Sequence, residues 1–537
     1  MAKYIHLFET AAEYETTRNN NYKEPWASYT LEDSGISFNK TEYEKMLETP
    51  LTFNIISAGT IVWKTPNTAY APTIKYSKDN GENWTEITST TGGTNVSVNA
   101  GDKVQFRGDN AKYYNGRSGY GTFSGTTAKF SIEGNIMSLI NSTGFTTVTT
   151  LASSYTFYYL FTYCTGLTSA ENLVLPATTL TESCYASMFA GCTSLATAPE
   201  LPATTLASSC YGAMFSDCTS LTTTPELPAT ALAAGCYNSM FYRCTSLKTA
   251  PILPATTLAD RCYYSMFQGC TSLTVAPELP ATTLANYCYY NMFYGCTSLT
   301  TAPELPATTL ANYCYQNMFY GCTGLTTAPV LPATTLATCC YSGMFSRCTS
   351  LTTGPELPAT TLAEGCYQLM FNGCTSLTTT PVLPAITLAN NCYQYMFNGC
   401  TSLTTAPILP ATTLAGSCYS AMFSGCTSLT TAPELPATTL ESSCYRQMFQ
   451  GCTSLTTAPV LPATTLVSYC YYCMFQGCTN LNYIKCLATD ISARYCTDDW
   501  VNGVQTTSGT FVKNQSMTSW TTGDNGIPSN WTVQDAS

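Results

Sequence analysis

Twenty-nine cysteines and a single histidine set the chemistry open to this 537-residue chain. Thirteen of the thiols recur every 26 residues, from Cys184 to Cys496. Twelve more follow eight residues behind, from Cys192 to Cys478, and Cys164 stands just ahead of the lattice. Thiols in this pattern can pair as disulfides within each unit, Cys184 with Cys192 for example. They can bind metal, or they can lie inside as small apolar groups. Zinc sites use ligand spacings of roughly two to four residues and often recruit histidine. Here seven residues separate the two columns, and His6 lies far outside the lattice. A ladder of buried thiols is the expectation, with disulfides as the alternative, and no metal or cofactor is expected. The off-lattice Cys339, Cys473 and Cys486 are expected to be the exposed thiols. The shortage of histidine also removes Ser–His and Cys–His pairs from the repeats. The chain has no GK[ST] phosphate loop and no GxGxxG motif, and nothing marks a carboxylate pair for glycoside hydrolysis. It is therefore expected not to be an enzyme.

Binding chemistry is better represented. Compared with one another, the units keep Leu, Pro, Cys, Met and Phe and vary at three places. These lie one residue before the first Cys, two residues after it, and two residues before the second Cys. The fillers are mainly Tyr, Ser, Asn, Gln and Gly. That is the palette of binding loops, where Tyr supplies rigid contact area and small polar groups adapt their hydrogen bonds. The densest group is Tyr242, Tyr264, Tyr287, Tyr290, Tyr294, Tyr313 and Tyr320, which predicts an exposed aromatic stripe fit for a glycan or a protein surface. Drift at solvated positions is the alternative. Before each Leu-Pro, a further column alternates Glu (Glu200, Glu226, Glu278, Glu304, Glu356, Glu434) with Val or Ile. The β-branched interruptions limit repulsion between like charges on neighbouring units. Lone carboxylates give too few ligands for calcium.

The element that must position these columns is the repeat itself. A fixed period of this length means a solenoid, each unit burying its apolar face on its neighbours. The words LTTAPELPATTLA read as an extended segment whose prolines limit any parallel strand to a few residues. In CYGAMFSDC, Cys210, Tyr211, Met214 and Phe215 fall at i, i+1, i+4 and i+5, which predicts a helical return of about two turns. Strand neighbours stack at ~4.8 Å, so twelve units predict a body on the order of 60 Å long. The repeats occupy residues 164–485, preceded by a cap over 138–163. Short β-rich runs with Asp79-Asn80-Gly81, Gly92-Gly93 and Gly101-Asp102 turns predict an Ig-like β-sandwich over 49–137. Residues 1–48 read as an attachment segment. Residues 486–537, with Trp500, Trp520 and Trp531, read as a β-rich C-terminal cap. The expected fold is thus multidomain: an N-terminal β-sandwich, a solenoid of 26-residue repeats and a cap.

Only 10% of residues are charged, against about 25% in ordinary soluble domains, and the net charge is −11. A basic footprint for nucleic acid is absent. No run of 18 apolar residues predicts a membrane span, and the N-terminus MAKYIHLFETAAEYETT carries no apolar export segment.

The words LPATTLAxxCYxxMFxGCTSL resemble BspA-like leucine-rich repeats, in which a short strand ending in proline leads to an AFxGCxxL return. The resemblance covers residues 164–485 and makes the solenoid a leucine-rich-repeat one. The tail WVNGVQTTSGTFVKNQSMTSWTTGDNGIPSNWTV resembles the endings of such proteins in gut Bacteroides and their phages. The start, YIHLFETAAEYETTRNN…YTLEDSGISFNK, is similar to leaders on virion proteins of crAss-like phages. These resemblances imply a non-enzymatic virion surface protein, such as a head or tail fibre of a Bacteroides phage. Residues 1–137 would join virion or surface assembly proteins, and the solenoid would hold host-surface glycan or protein. A homo-oligomer is compatible with that role. The alternatives are a bacterial cell-surface leucine-rich-repeat adhesin and a purely structural virion decoration.

Overall fold

The computed structural model describes residues 40–115, 119–504 and 508–536. His6 and most of the expected attachment segment lie outside the described residues. Residues 46–537 form one compact unit. After helix α1 (Lys40–Glu48), seven strands follow. They are β1 (Leu51–Ser57), β2 (Gly59–Trp63), β3 (Thr73–Ser77), β4 (Thr85–Thr88), β5 (Thr94–Val98), β6 (Lys103–Arg107) and β7 (Lys129–Asn135). The first strand of the repeats is β8 (Leu167–Val174), and it completes a six-stranded sheet in the order β4-β3-β6-β1-β7-β8. β2 and β5 pair separately. Asn80 and Gly81 sit at φ 58° and 90°, the left-handed pair that closes the β3–β4 hairpin. Among the described residues no helix is long and apolar enough to cross a membrane.

Since β8 pairs with β7 in parallel, this β module and the repeats share one core. Phe53 stacks on Phe130 at 4.5 Å, Phe123 on Phe161 at 5.5 Å, and Phe161 on Phe189 at 5.4 Å. From there the Phe column continues coil by coil to Phe475, and a buried Tyr column runs beside it from Tyr185 to Tyr471.

The return segment is not helical. In the coil 287–295, the N–H groups of Tyr289, Asn291, Phe293 and Gly295 donate to carbonyls of the next coil, at 2.7–3.0 Å. The N–H groups between them, at Tyr290, Met292 and Tyr294, donate back three residues within their own coil. Every fourth residue is left-handed: Tyr287 at φ 57°, Asn291 at 54°, Gly295 at 71°. A helix spends every interior N–H on itself. This chain of tight turns spends half of them on its neighbour, so each coil is hydrogen-bonded to the next along the whole return. The apolar residues recur at four rather than 3.6. The turn ladder reaches beyond 164–485 on both sides, since 155–163 and 495–503 follow the same pattern.

After β8 the extended halves of the repeats contain no regular strand up to β9. Single parallel bridges, such as Thr301↔Thr327 and Thr309↔Thr335, flank Pro303 and Pro306, and bridges at the equivalent places recur in several other units. Regular strands return only where the prolines stop, as β9 (Tyr483–Cys486), β10 (Thr510–Lys513) and β11 (Thr532–Asp535), in parallel order β11-β10-β9.

All 29 cysteines are free thiols, and both columns are buried. The second column explains why the residue is cysteine. Cys296, Cys322 and Cys348 each donate S–H to the Phe carbonyl of the preceding coil, at 3.0–3.1 Å. The side chain fills a small apolar space and still satisfies its one donor. Of the off-lattice thiols expected to be exposed, Cys339 is half-buried. Cys473 and Cys486 are buried, contrary to expectation. Cys473 occupies a left-handed ladder position (φ 52°), and Cys486 ends β9 against the core. Brief alkylation of the native protein should therefore modify Cys339 and little else, whereas all 29 thiols react once it is denatured. Rapid native labelling throughout either column would contradict the inward placement.

Candidate functional site

The varied positions fall on the outer face of the turn ladder. The residue before the first Cys is left-handed in every coil, from Ser209 (φ 53°) and Gly235 (60°) to Tyr287 (57°) and Tyr313 (59°). Gly and Asn there follow from backbone geometry alone. Tyr and Arg do not, because a left-handed conformation costs such residues roughly 1–2 kcal/mol. Their presence calls for a reason on the surface.

All seven expected tyrosines are half-buried, so each offers part of its ring to solvent. Six of them form three stacked pairs between adjacent coils. Tyr264 lies on Tyr290 at 4.7 Å, Tyr287 on Tyr313 at 4.6 Å, and Tyr294 on Tyr320 at 4.5 Å, each within 7° of parallel. Tyr287 also meets Tyr290 at 5.8 Å and 56°, which joins two columns into one patch. Tyr242 stands apart, two coils from Tyr294 in its column, with Gln268 between them.

Two cations border the patch, and neither is marked as a site residue by sequence pattern. Arg261 lies over Tyr287 at 4.8 Å, and Arg347 over Tyr320 at 5.7 Å. Each pair is a surface cation–π contact that holds a ring in place. Asn291, between the columns, has a buried side-chain oxygen with no hydrogen-bond partner. Burial and the neighbouring Tyr264 hold the Tyr290 hydroxyl above its ordinary pKa. Burial and Tyr320 do the same to Tyr294, and the Cys339 thiol raises Tyr313. The hydroxyls of Tyr290, Tyr294 and Tyr313 are therefore neutral donors and acceptors at physiological pH. The patch presents flat aromatic area with hydroxyls and flanking guanidiniums. It can stack a ring or a sugar face and hydrogen-bond around it.

Other varied positions bond to their own kind in the next coil. Gln368 donates to Gln394 at 2.6 Å and Asn372 to Asn398 at 2.7 Å. These amide ladders knit coils together and account for much of the polar variation without a ligand. In the acidic column Val330, Val382 and Ile408 are 78%, 77% and 82% exposed. They have no packing role there, in keeping with their part in separating charges.

A second tyrosine group is not apparent from the repeat pattern. Tyr155, Tyr158, Tyr159 and Tyr163 belong to the first coil, where β-module residues Tyr114 and Tyr120 meet them. The 28-residue step from Cys164 to Cys192 conceals that Tyr155 and Tyr158 share columns with the later stripe, Tyr155 with Tyr287 and Tyr158 with Tyr290.

The comparison with known families bears on residues 154–494, in overlapping segments 154–292, 263–378, 330–456 and 390–494. They match the family described as BspA type Leucine rich repeat region, in six copies. Neither the curated proteins nor the solved structures contain a match.

Proposed function

Since the chain belongs to the BspA type leucine-rich-repeat family, a family of surface-associated, adhesion-type repeat proteins, we propose that it is a non-enzymatic binding protein. Its ligand-holding surface is the tyrosine patch centred on Tyr287, Tyr290 and Tyr313. The stacked, half-exposed Tyr287–Tyr313 pair, at otherwise unfavourable left-handed positions, carries this reading. The finer proposal is a virion surface protein, a head or tail fibre of a Bacteroides phage that grips host-surface glycan or protein with this face. The likeness of its leader and tail to phage proteins supports it. A bacterial cell-surface adhesin is the second reading, favoured by the family match, which covers the repeats and not the flanks. In either case residues 1–137 attach the protein to its parent assembly, with 49–137 as an Ig-like sandwich. Residues 486–537 close the stack as a cap, a role supported by the buried Trp500 stacked on Trp520 at 5.5 Å.

The test is the double variant Tyr290→Ala, Tyr313→Ala, assayed for binding to whole Bacteroides cells. Anchor aromatics at an interface are worth about 2 kcal/mol or more, so binding should weaken more than tenfold. Stability should fall only slightly, because the lost ring pairs are worth about 0.5–1.5 kcal/mol each and lie on the surface. Unchanged cell binding would leave the patch without the role assigned to it.

A further inference from the structure

The first three coils and the β module enclose a cleft of about 560 Å³. Its wall is aromatic. Tyr114 meets Tyr158 at 4.7 Å, Tyr120 meets Tyr159 at 4.7 Å, and Tyr158 and Tyr159 lie 4.0 Å apart. Tyr163 stands at the front, 65% exposed. Its ring lies over Gly191, where a Cβ would come within 2.4 Å of the ring carbon. The floor is made of small residues, Ser187, Ala190, Ala213 and Ser216, with Asp217 at one side. Later coils carry larger groups in these columns, Tyr242 beyond Ser216 and Tyr395 further along from Ala213. The cleft thus exists because two successive coils are small between an aromatic wall and the tyrosine stripe.

We propose that this cleft is a binding site for a neutral pyranose oligosaccharide, separate from the stripe around Tyr287 and independent of its role. The ring face of an exposed tyrosine is electronegative and accepts the electropositive C–H face of a sugar. Tyrosine and serine hydroxyls, with the Asp217 carboxylate, match the hydroxyl rim of such a ligand. An apolar ligand would find only two alanines for aliphatic contact. A peptide pairing through its backbone would find no free partner in the floor. The Ser187 N–H goes to Gly212 O at 2.8 Å and the Gly191 N–H to Ser216 O at 2.7 Å. Phosphate ligands meet a carboxylate whose one nearby cation, Arg243, already sits 3.6 Å from it.

Calorimetry with the full chain tests the site, using cellotetraose, mannotetraose and maltotetraose as neutral probes and tetragalacturonate as an anionic one. At least one neutral probe should bind saturably. Tyr159→Ala with Tyr163→Ala should weaken it more than tenfold by removing the wall. Ala213→Tyr with Ser216→Tyr should do the same by filling the floor, and both columns accept Tyr in other coils, so folding is preserved. Tyr290→Ala with Tyr313→Ala should leave this binding unchanged, which separates the cleft from the stripe. The proposal is overturned if no neutral probe binds, if only tetragalacturonate does, or if binding survives both cleft variants.

Discussion

Titration from neutral to about pH 10.5 should unfold the repeat stack in one steep transition beginning near the ordinary thiol pKa of about 9. Burial pushes the thiols of Cys192, Cys270, Cys322 and Cys478 from 9.0 up to about 12. The cause is loss of solvent around a thiolate, and it applies along both columns. In the second column ionisation would also turn the S–H donor to a Phe carbonyl into an anion facing that carbonyl. The folded state holds these protons more tightly than the unfolded chain does. Its stability is therefore complete below the unfolded pKa and falls as pH rises toward the folded value. Each buried thiol removes about 1.4 kcal/mol per pH unit in that window. A handful of them exceeds the ~5–15 kcal/mol by which a domain is stable. The core tyrosines, Tyr263 and Tyr289 among them, are displaced in the same direction by burial and act with the thiols. Among the described residues acid has no matching lever: the carboxylates held low, Asp79 and Asp490, are solvent-exposed. Circular dichroism and tyrosinate absorbance followed together against pH provide the check. A fold that persists while the tyrosines titrate gradually would show that the columns are hydrated.

The inward Cys columns are legible in the sequence because a 26-residue lattice leaves one register in which identical side chains stack. The prolines are as informative, for a chemical reason. Bridges at Thr301 and Thr309 sit outside Pro303 and Pro306, since neither proline has an N–H to give. The return segment differs from the expected helix because positions i, i+1, i+4 and i+5 fit both a helix and a four-residue turn. Ser183, Ser187 and Gly191 hold the discriminating signal: small residues recurring every fourth position, where the backbone turns left-handed at φ 50°, 53° and 73°. Cys473 is buried rather than exposed because it breaks the lattice of cysteines while keeping the lattice of turns. The seven stripe tyrosines are legible as columns. Their pairing in adjacent coils follows from register, but the flanking Arg261 and Arg347 require side-chain geometry. The cleft is illegible for a topological reason. Tyr114 and Tyr120 reach it from the β module, and the lengthened first unit shifts Tyr155–Tyr163 off the period.

Phe345→Ala should divide the stack into two blocks that unfold separately. The Phe345 ring is fully buried and lies parallel to Phe319 at 5.8 Å and to Phe371 at 5.7 Å. Emptying such a site costs about 3–5 kcal/mol in transfer and cavity terms. Two ring pairs are lost as well, at about 0.5–1.5 kcal/mol each. In a globular core the whole domain would share that loss. Here each coil is coupled chiefly to the coils on either side, through the N–H groups it donates and the rings it stacks. The lesion therefore weakens two neighbouring interfaces and leaves the rest intact, so cooperativity breaks where the column is interrupted. Phe475→Ala removes a ring of the same column near the far end, where Trp500 is its next neighbour at 6.1 Å. That variant should fray the last coils and leave a single, shorter cooperative unit. Hydrogen exchange read by peptide separates the outcomes. Protection should fall in a band around residue 345 in the first variant and toward the C-terminal end in the second. An even loss of protection across the chain in both would mean that the coils fold as one body, and that the nearest-neighbour account of their stability fails.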